Sequence, residues 1–337
     1  MILAAGKGER MKGLTRTIPK ALIQVSGKTL LELSIERLSK ANVQKIIVAV
    51  GWKSDMIRDA ITQFENLPDV QVIDVPNYEI GPLQTLTSVL NTIVNEESII
   101  CPVDLLISSD AISMILSHHS ENQDAIVILA VDPHGKSGSV VSVDSLGRVI
   151  GVQKEVDNAY AIVKSAMFMV VSPDFAEYCR PALNSGSTRA VSVLNNLIEK
   201  GHIIQSYSVH ERWFDVDTLS DVLEANRLLL DSAEVKHSGS IFVPSGDIME
   251  IGDTLDLGSG ITVGRGVSLN GPCLIQGNSK IGENSIIGPH ASLGKGTEVG
   301  DHCEIQNAVL FGLSKIPDRS KVSGIVMYES ESFKMEE

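Results

Sequence analysis

Aromatic side chains make up only 4% of this 337-residue chain, so its cores must rest on Ile, Leu, Val and Ala. Its four cysteines, Cys101, Cys179, Cys273 and Cys303, have neither paired metal spacing nor a disulfide framework. They read as small buried hydrophobes in a reducing compartment. Positive charge is in deficit too, with 28 Lys and Arg against 42 Asp and Glu and a net charge of −14. No basic stripe is available to neutralise a run of phosphates, which argues against a nucleic-acid or membrane-surface partner. A single phosphate ligand is compatible, because a few local donors can hold one. No apolar run has the length of a transmembrane helix, and no basic-then-apolar leader opens the sequence. A cytoplasmic protein is expected.

What the chain does have is a six-residue period. One large aliphatic residue recurs from residue 251 as Ile251, Leu257, Val263, Leu269, Ile275, Ile281, Ile287, Leu293, Val299 and Ile305. Glycine follows directly at Gly252, Gly258, Gly264, Gly282, Gly288, Gly294 and Gly300. Neither a helix face nor an alternating strand has that period. Short strands stacked in a solenoid do, with each aliphatic pointing inward and each glycine expected to supply the corner conformation. Hexapeptide repeats of this kind mark a parallel β-helix.

The first two-thirds follow another plan. Short aliphatic runs at Lys45–Val50, 70–75, 98–101 and 125–131 alternate with helical spacing, as at Leu31, Ile35 and Leu38 and over 83–94. Strands alternating with helices predict an α/β domain with a mostly parallel sheet. In such sheets ligands bind beyond the carboxyl ends of the strands. Strands at 149–152 and 162–171 and helices at 192–200 and 219–230 are expected to form a second lobe. Residues 233–247 read as a linker and the charged 329–337 as a frayed tail.

Leu3–Met11 reads L-A-A-G-K-G-E-R-M. A Gly-x-Gly loop after an aliphatic strand lets backbone N–H groups approach a phosphate chain, although alone it equally marks a tight turn. Arg10 can reach the same phosphates with a bidentate fork. Together with Pro19-Lys20-Ala21-Leu22, the segment resembles the sugar-1-phosphate nucleotidyltransferases, whose pattern is LAAGxGxRxxPLT…PKPL. The resemblance runs over essentially the whole chain, since many members end in a left-handed β-helix. It implies a Rossmann-like nucleotidyltransferase domain with a mixed, mostly parallel sheet over 1–232, the linker, a short left-handed parallel β-helix of hexapeptide repeats over 248–328, and the tail.

The resemblance also assigns roles. Leu3, Ala4, Ala5, Gly6 and Gly8 would embrace the nucleotide, with Arg10 and Lys20 neutralising its phosphates. Gly13 stands for the family's proline before Leu-Thr, and Ala21 for the one after Pro-Lys; both loosen a loop without removing a donor. Gln84, in Gly81-Pro82-Leu83-Gln84, would read a pyrimidine, because its amide offers a donor and an acceptor. Asp104 and Asp215 match two aspartates that hold Mg²⁺, a cation suited to carboxylate and phosphate oxygens. Lys154 and Gly138 would meet the sugar phosphate.

Departures cluster on the sugar side. Val103 replaces glycine before Asp104, Gln153-Lys154-Glu155 replaces Glu-Lys-Pro, and Ala166 replaces the glycine of the N-A-G-[IM]-Y strand. Ala190-Val191-Ser192 replaces Leu-Thr-Asp, and Asp217 replaces the glycine of W-x-D-x-G-T. The implied reaction joins a nucleoside triphosphate, UTP or dTTP, to a hexose 1-phosphate with release of pyrophosphate. A silent homologue that binds a nucleotide or nucleotide sugar as a regulatory subunit is the alternative. Acyl transfer on the β-helix is a further one, but His290 and His302 lie in no recognisable catalytic context, and Lys315-Ile316-Pro317-Asp318 has aspartate where an Ile-Pro-His stretch has histidine. Burial of the β-helix by self-association is expected, giving a homo-oligomer.

Overall fold

The computed structural model describes residues 1–11, 13–64, 68–93, 95–135, 138–211, 213–233 and 238–334. Of the expected segments, residue 94, residues 234–237 of the linker and residues 335–337 of the tail lie outside the described residues. Residue contacts divide the chain into two compact units that interleave in sequence. One comprises Met1–Lys7, Pro19–Leu22 and Leu31–Asp215; the other comprises Gly8–Ile18, Ile23–Leu30 and Val216–Glu337.

The first unit is built on a nine-stranded mixed sheet in which Ile2–Ala4 is an interior strand, third from one edge. That short strand pairs in parallel with Lys45–Val50 on one side and Ser98–Pro102 on the other, and Asp69–Asp74 adds a further parallel edge. Five residues of KIIVAV and four of SIICP are buried, the continuous apolar run that parallel strands covered on both faces require. Beyond Ser98–Pro102 the pairing turns antiparallel, except that Ile204–Ser208 pairs in parallel with Val127–Asp132. Ala161–Val171 joins Ser98–Pro102, Val127–Asp132 and Ser139–Val143 to one another. Eleven residues reach all three partners because the register shifts between Ser165 and Met169, where Met167 has φ +57°. Val149–Val152 and Ala161–Val171 therefore extend the one sheet instead of founding a second lobe, and the sheet is mixed as expected, although its antiparallel pairings are as numerous as its parallel ones.

In the second unit, parallel ladders stack Val263 on Ile281, Val299 and Ile316, and Leu269 on Ile287 and Ile305. A third ladder stacks Cys273 on Ala291, Ala308 and Ile325. Three short strands thus make each coil, and their inward aliphatics form one buried core.

Three details differ from the hexad reading. The first two aliphatics stand outside the parallel stack. Ile248–Ile251 and Leu255–Asp256 pair antiparallel with Val267–Asn270 and Thr262–Val263, and Leu257 is 37% exposed. Ile241–Val243, expected as linker, is a further antiparallel strand over the same end, against Cys273–Ile275. The stack also continues past Ile305 to Lys321–Tyr328, and Glu331–Lys334 pairs antiparallel with that strand where a frayed tail was expected. The period is lost because Leu293 pairs with Leu310, one residue short of the step from Ile287 to Ile305, which resets the phase.

Nor do the glycines after the aliphatics turn the corners, Gly288 excepted. Positive φ falls three residues after the aliphatic, at Gly266, Asn284, His302 and Arg319 in one stacked series. Gly264 is glycine for lack of space, since a Cβ there would lie 2.8 Å from Glu283 N in the next coil.

The outer face of the third ladder is dry, with Leu274, Ser292, Val309 and Val326 all buried. The Leu219–Ser232 helix packs against the Glu304–Phe311 and Lys321–Tyr328 strands of this stack. Asn226 of that helix is 1% exposed, and both ends of its amide are hydrogen-bonded. Its Oδ1 accepts from Ser26 N at 2.8 Å and Ser292 Oγ at 2.6 Å, and its Nδ2 donates to the His290 carbonyl at 3.2 Å. Gln276 Nε2 donates to the Gly27 carbonyl at 2.9 Å, so the Gln24–Thr29 hairpin is tied to the same stack.

Close coil contact makes a contrast between two glycines measurable. A Cβ on Gly282 would overlap the backbone of Gly300, whereas one on Gly252 would meet nothing within 4 Å. Gly282→Ala is expected to cost about 1–3 kcal/mol, and Gly252→Ala to stay within about 0.5 kcal/mol of wild type. Urea unfolding of the two variants checks this, and equal losses would refute the close-approach account.

Candidate functional site

Three parallel strands of the first unit end side by side, and their carboxyl ends carry the expected nucleotide loop. Ala4 pairs with Val50 and Leu3 with Pro102. Just beyond, Ala5 O accepts from Trp52 N at 3.0 Å and Leu3 O from Val103 N at 3.2 Å. The loop is therefore fastened to both flanking strand ends. A Cβ on Gly6 would meet nothing within 4 Å, so its backbone faces open space. Lys7 lies 5.5 Å from the Trp52 ring centroid and 3.8 Å from Glu79 Oε1.

Asp104 follows Ser98–Pro102 at the same edge. Leu105–Leu106 then pairs antiparallel with Phe214–Asp215, setting Asp215 opposite Leu105. This two-residue ladder brings together aspartates 111 positions apart in sequence, with carboxylate oxygens within 4.8 Å. Lys20 reaches Asp104 by an ion pair in which both side chains are largely buried. Two carboxylates and no softer donor suit a hard divalent cation.

Gln84 lies in the first turn of the Pro82–Leu90 helix. Its Nε2 donates to Pro76 O at 3.0 Å and to Ser88 Oγ at 3.3 Å. Gly81 before it has φ +139°, and a Cβ there would lie 2.9 Å from Thr188 O, which accepts from Leu83 N. That glycine is required by both conformation and space.

On the expected sugar side, Lys154 is exposed while its backbone is fixed. Ser142 Oγ donates to Lys154 O at 2.9 Å and accepts from Val156 N at 3.1 Å, and Asn195 brackets Val152 N and O at 3.0 and 2.9 Å. Gly138 has φ +93°, and a Cβ on it would overlap Ser165 O. Residues 136 and 137 beside it lie outside the described residues.

In the second unit, Gly8–Ile18 forms a tight arm. Gly8 has φ +65°, and its carbonyl accepts from Met11 N at 3.0 Å and from Thr15 Oγ1 at 2.9 Å. Arg10 forms an ion pair with Asp217, its own side chain 72% exposed and the aspartate's 14%. Asp217 is held at the start of the Leu219–Ser232 helix. Thr218 and Asp221 form a capping box, and Asp221 Oδ2 also accepts from Asp217 N at 3.1 Å. From sequence Asp217 reads only as a lost glycine; the D-x-D-T-x-x-D spacing before an apolar helix was the available signal. Trp52 and Glu79 were missed as well. One of only two tryptophans, standing directly after an aliphatic strand, was the clue.

Residues 1–194 match the MobA-like NTP transferase domain, and because that is more than half of the chain, the protein belongs to this family of nucleotidyl-transferring enzymes. Residues 269–333 match the GMPPB C-terminal domain. The low-salt glycan biosynthesis nucleotidyltransferase Agl11 of Haloferax volcanii is 23% identical over 245 residues, spanning 72% of this chain and 68% of that protein. Glucose-1-phosphate thymidylyltransferase of Streptomyces griseus is 23% identical over 244 residues, with the same shares. In fold, the chain resembles UDP-glucose pyrophosphorylase solved with UDP-glucose, with a TM-score of 0.60, 16% identity, and 68% of this chain and 97% of that one covered.

Separating the two members of the Lys20–Asp104 pair has a defined cost. Asp104→Asn leaves a largely buried ammonium beside a neutral amide and is expected to cost about 1–3 kcal/mol. Adding Lys20→Met should recover part of that loss. A double-mutant cycle in urea reads the coupling, and strict additivity would show that the pair contributes nothing.

Proposed function

We propose that the protein is a sugar-1-phosphate nucleotidyltransferase, joining UTP or dTTP to a hexose 1-phosphate and releasing pyrophosphate. The observation that carries this reading is the carboxyl edge of the first unit's sheet. There an open glycine backbone, a largely buried lysine and two neighbouring aspartates surround the loop that follows Ile2–Ala4. Membership of the NTP transferase family and the activities for which the two relatives are named agree with it.

An oxygen of the sugar 1-phosphate attacks the α-phosphorus of the triphosphate in line. The new P–O bond forms as the bond to the β-phosphate oxygen breaks, and pyrophosphate carries off the electron pair. No side chain becomes covalently linked, so positioning and charge neutralisation carry catalysis. Leu3, Ala4, Ala5, Gly6 and Gly8 line the nucleotide loop, with the Gly6 and Gly8 amides and Arg10 holding the β- and γ-phosphates. Arg10 exchanges Asp217 for the nucleotide as it does so. Lys20 stabilises charge building at the α-phosphate, and Gln84 reads the pyrimidine edge. Lys154 attracts the sugar phosphate beside Gly138. Asp104 and Asp215 would hold Mg²⁺, which when bound neutralises phosphate charge during the transfer.

The C-terminal strands are read as a left-handed parallel β-helix, supported by the three-strand coil repeat. Its role is read as self-association, with a cytoplasmic location. No helix among the described residues is long and apolar enough to cross a membrane.

Pyrophosphate release from a panel of nucleoside triphosphates and hexose 1-phosphates with Mg²⁺ tests the reaction. One pair should turn over, and Arg10→Ala should lower the rate about 10²-fold or more. Calorimetric binding of a nucleotide with no turnover of any pair would replace the enzyme with a regulatory subunit. Light scattering behind size exclusion tests self-association: a mass well above 36.2 kDa is expected, and the single-chain mass would end that reading.

A further inference from the structure

The space beside Gly13, where the resembling family has proline, is filled from the other end of the chain. Gly13 precedes the short Leu14–Thr17 helix with φ −62° and ψ −36°, a conformation any residue adopts. Its backbone does not call for glycine; its surroundings do. A Cβ there would lie 2.9 Å from Phe333 Cε1 and 3.4 Å from Cδ1. Phe333 belongs to Glu331–Lys334, the antiparallel strand that closes the hairpin with Lys321–Tyr328, and it stands opposite Val326. Glu331, Ser332 and Lys334 are exposed, whereas Phe333 is half-buried. It is the one side chain of that strand drawn out of solvent, and its ring edge rests on the arm.

The arm transmits what happens at Gly13. Arg16 N donates to Gly13 O at 3.0 Å, and two residues from Gly13 along the same turn Thr15 Oγ1 donates to Gly8 O at 2.9 Å. Met11 N closes on the same Gly8 carbonyl, and Arg10 lies between the two closures. Within this knot, a shift at Gly13 moves Gly8 and Arg10 together.

We propose that Phe333 is a positioning residue for nucleotide binding: its ring wedges the Gly8–Ile18 arm in place and so fixes the Gly8 amide and Arg10. The C-terminal hairpin thereby sets nucleotide affinity through one side chain. The kinetic consequence rests on the transferase reading above; the ordering of the arm does not.

The test compares wild type, Phe333→Ala, Phe333→Leu and, as a control on the same strand, Ser332→Ala, all in the full chain. Hydrogen–deuterium exchange of residues 8–18 should rise about tenfold in Phe333→Ala, with the parallel stack unchanged. The KM for the nucleoside triphosphate should rise about 3- to 10-fold with kcat within about twofold. Phe333→Leu should restore most of both, and Ser332→Ala should match wild type. Unchanged exchange over 8–18 would overturn the proposal. So would a rise spread evenly through the stack, which marks general loosening, or a loosened arm with an unchanged KM. If wild type turns over no substrate pair, the transferase reading fails, and the exchange measurement alone decides whether the ring orders the arm.

Discussion

A largely buried ammonium needs a counter-charge, and that constraint organises the carboxyl edge of the first unit's sheet. Lys20 and Asp104 are 10% and 19% exposed in their side chains, too dry for either to be stable alone. Asp104 sits directly past Ser98–Pro102, so pairing it with Lys20 pins the Lys20–Leu22 turn to the strand ends. The two-residue ladder from Leu105 to Asp215 then fixes the second carboxylate. One electrostatic requirement thus places a cation and two anions at the edge where parallel sheets bind ligands. Stability and chemistry draw on the same pair, so a substitution there changes both.

A second constraint comes from how the chain is threaded. Gly8–Ile18 and Ile23–Leu30 group with the C-terminal strands, while Pro19–Leu22 between them groups with the sheet. Asn226 explains how this can be stable. A buried amide without partners would cost more than it contributes, but this one is satisfied by the Gln24–Thr29 hairpin and by the stacked strands at once. The stacked strands thus share one polar knot with the Gln24–Thr29 hairpin.

Much of this was legible in the sequence, and what was not has identifiable causes. The aliphatic runs announced the sheet strands because strands buried on both faces admit little else. The hexads announced the stack because inward positions recur whenever three strands make a coil. The glycines after the hexads misled: a glycine that avoids the next coil and one that turns a corner look alike in sequence, and only φ separates them. The single-residue deletion after Ile305 hid the last coil, since a period search fails at the first phase slip. Gly6, Lys20, Asp104 and Asp215 were singled out by the family resemblance, and the fold sets Lys20 and Asp215 beside Asp104. The Arg10–Asp217 and Gly13–Phe333 contacts join residues more than two hundred positions apart, and no local pattern reports such a pair.

The departures on the sugar side take on a different meaning in three dimensions. From sequence, each lost glycine threatens to project a side chain into an acceptor site. Val103 is 5% exposed and Ala166 only 2%, so both side chains are absorbed into packing. Asp217 is taken up by Arg10 and by the helix cap. Neither Val103 nor Ala166 therefore projects a bare side chain. What differs is charge: Gln153 donates to Ser139 Oγ at 3.0 Å in place of an acid, and Lys154 stands exposed between Gln153 and Glu155. On the proposed reading an acceptor phosphate would meet this exposed cation on a backbone that Ser142 and Asn195 hold fixed. Such a contact would favour the phosphate of an acceptor over its hydroxyl pattern, because long-range attraction tolerates positional error that hydrogen bonds do not.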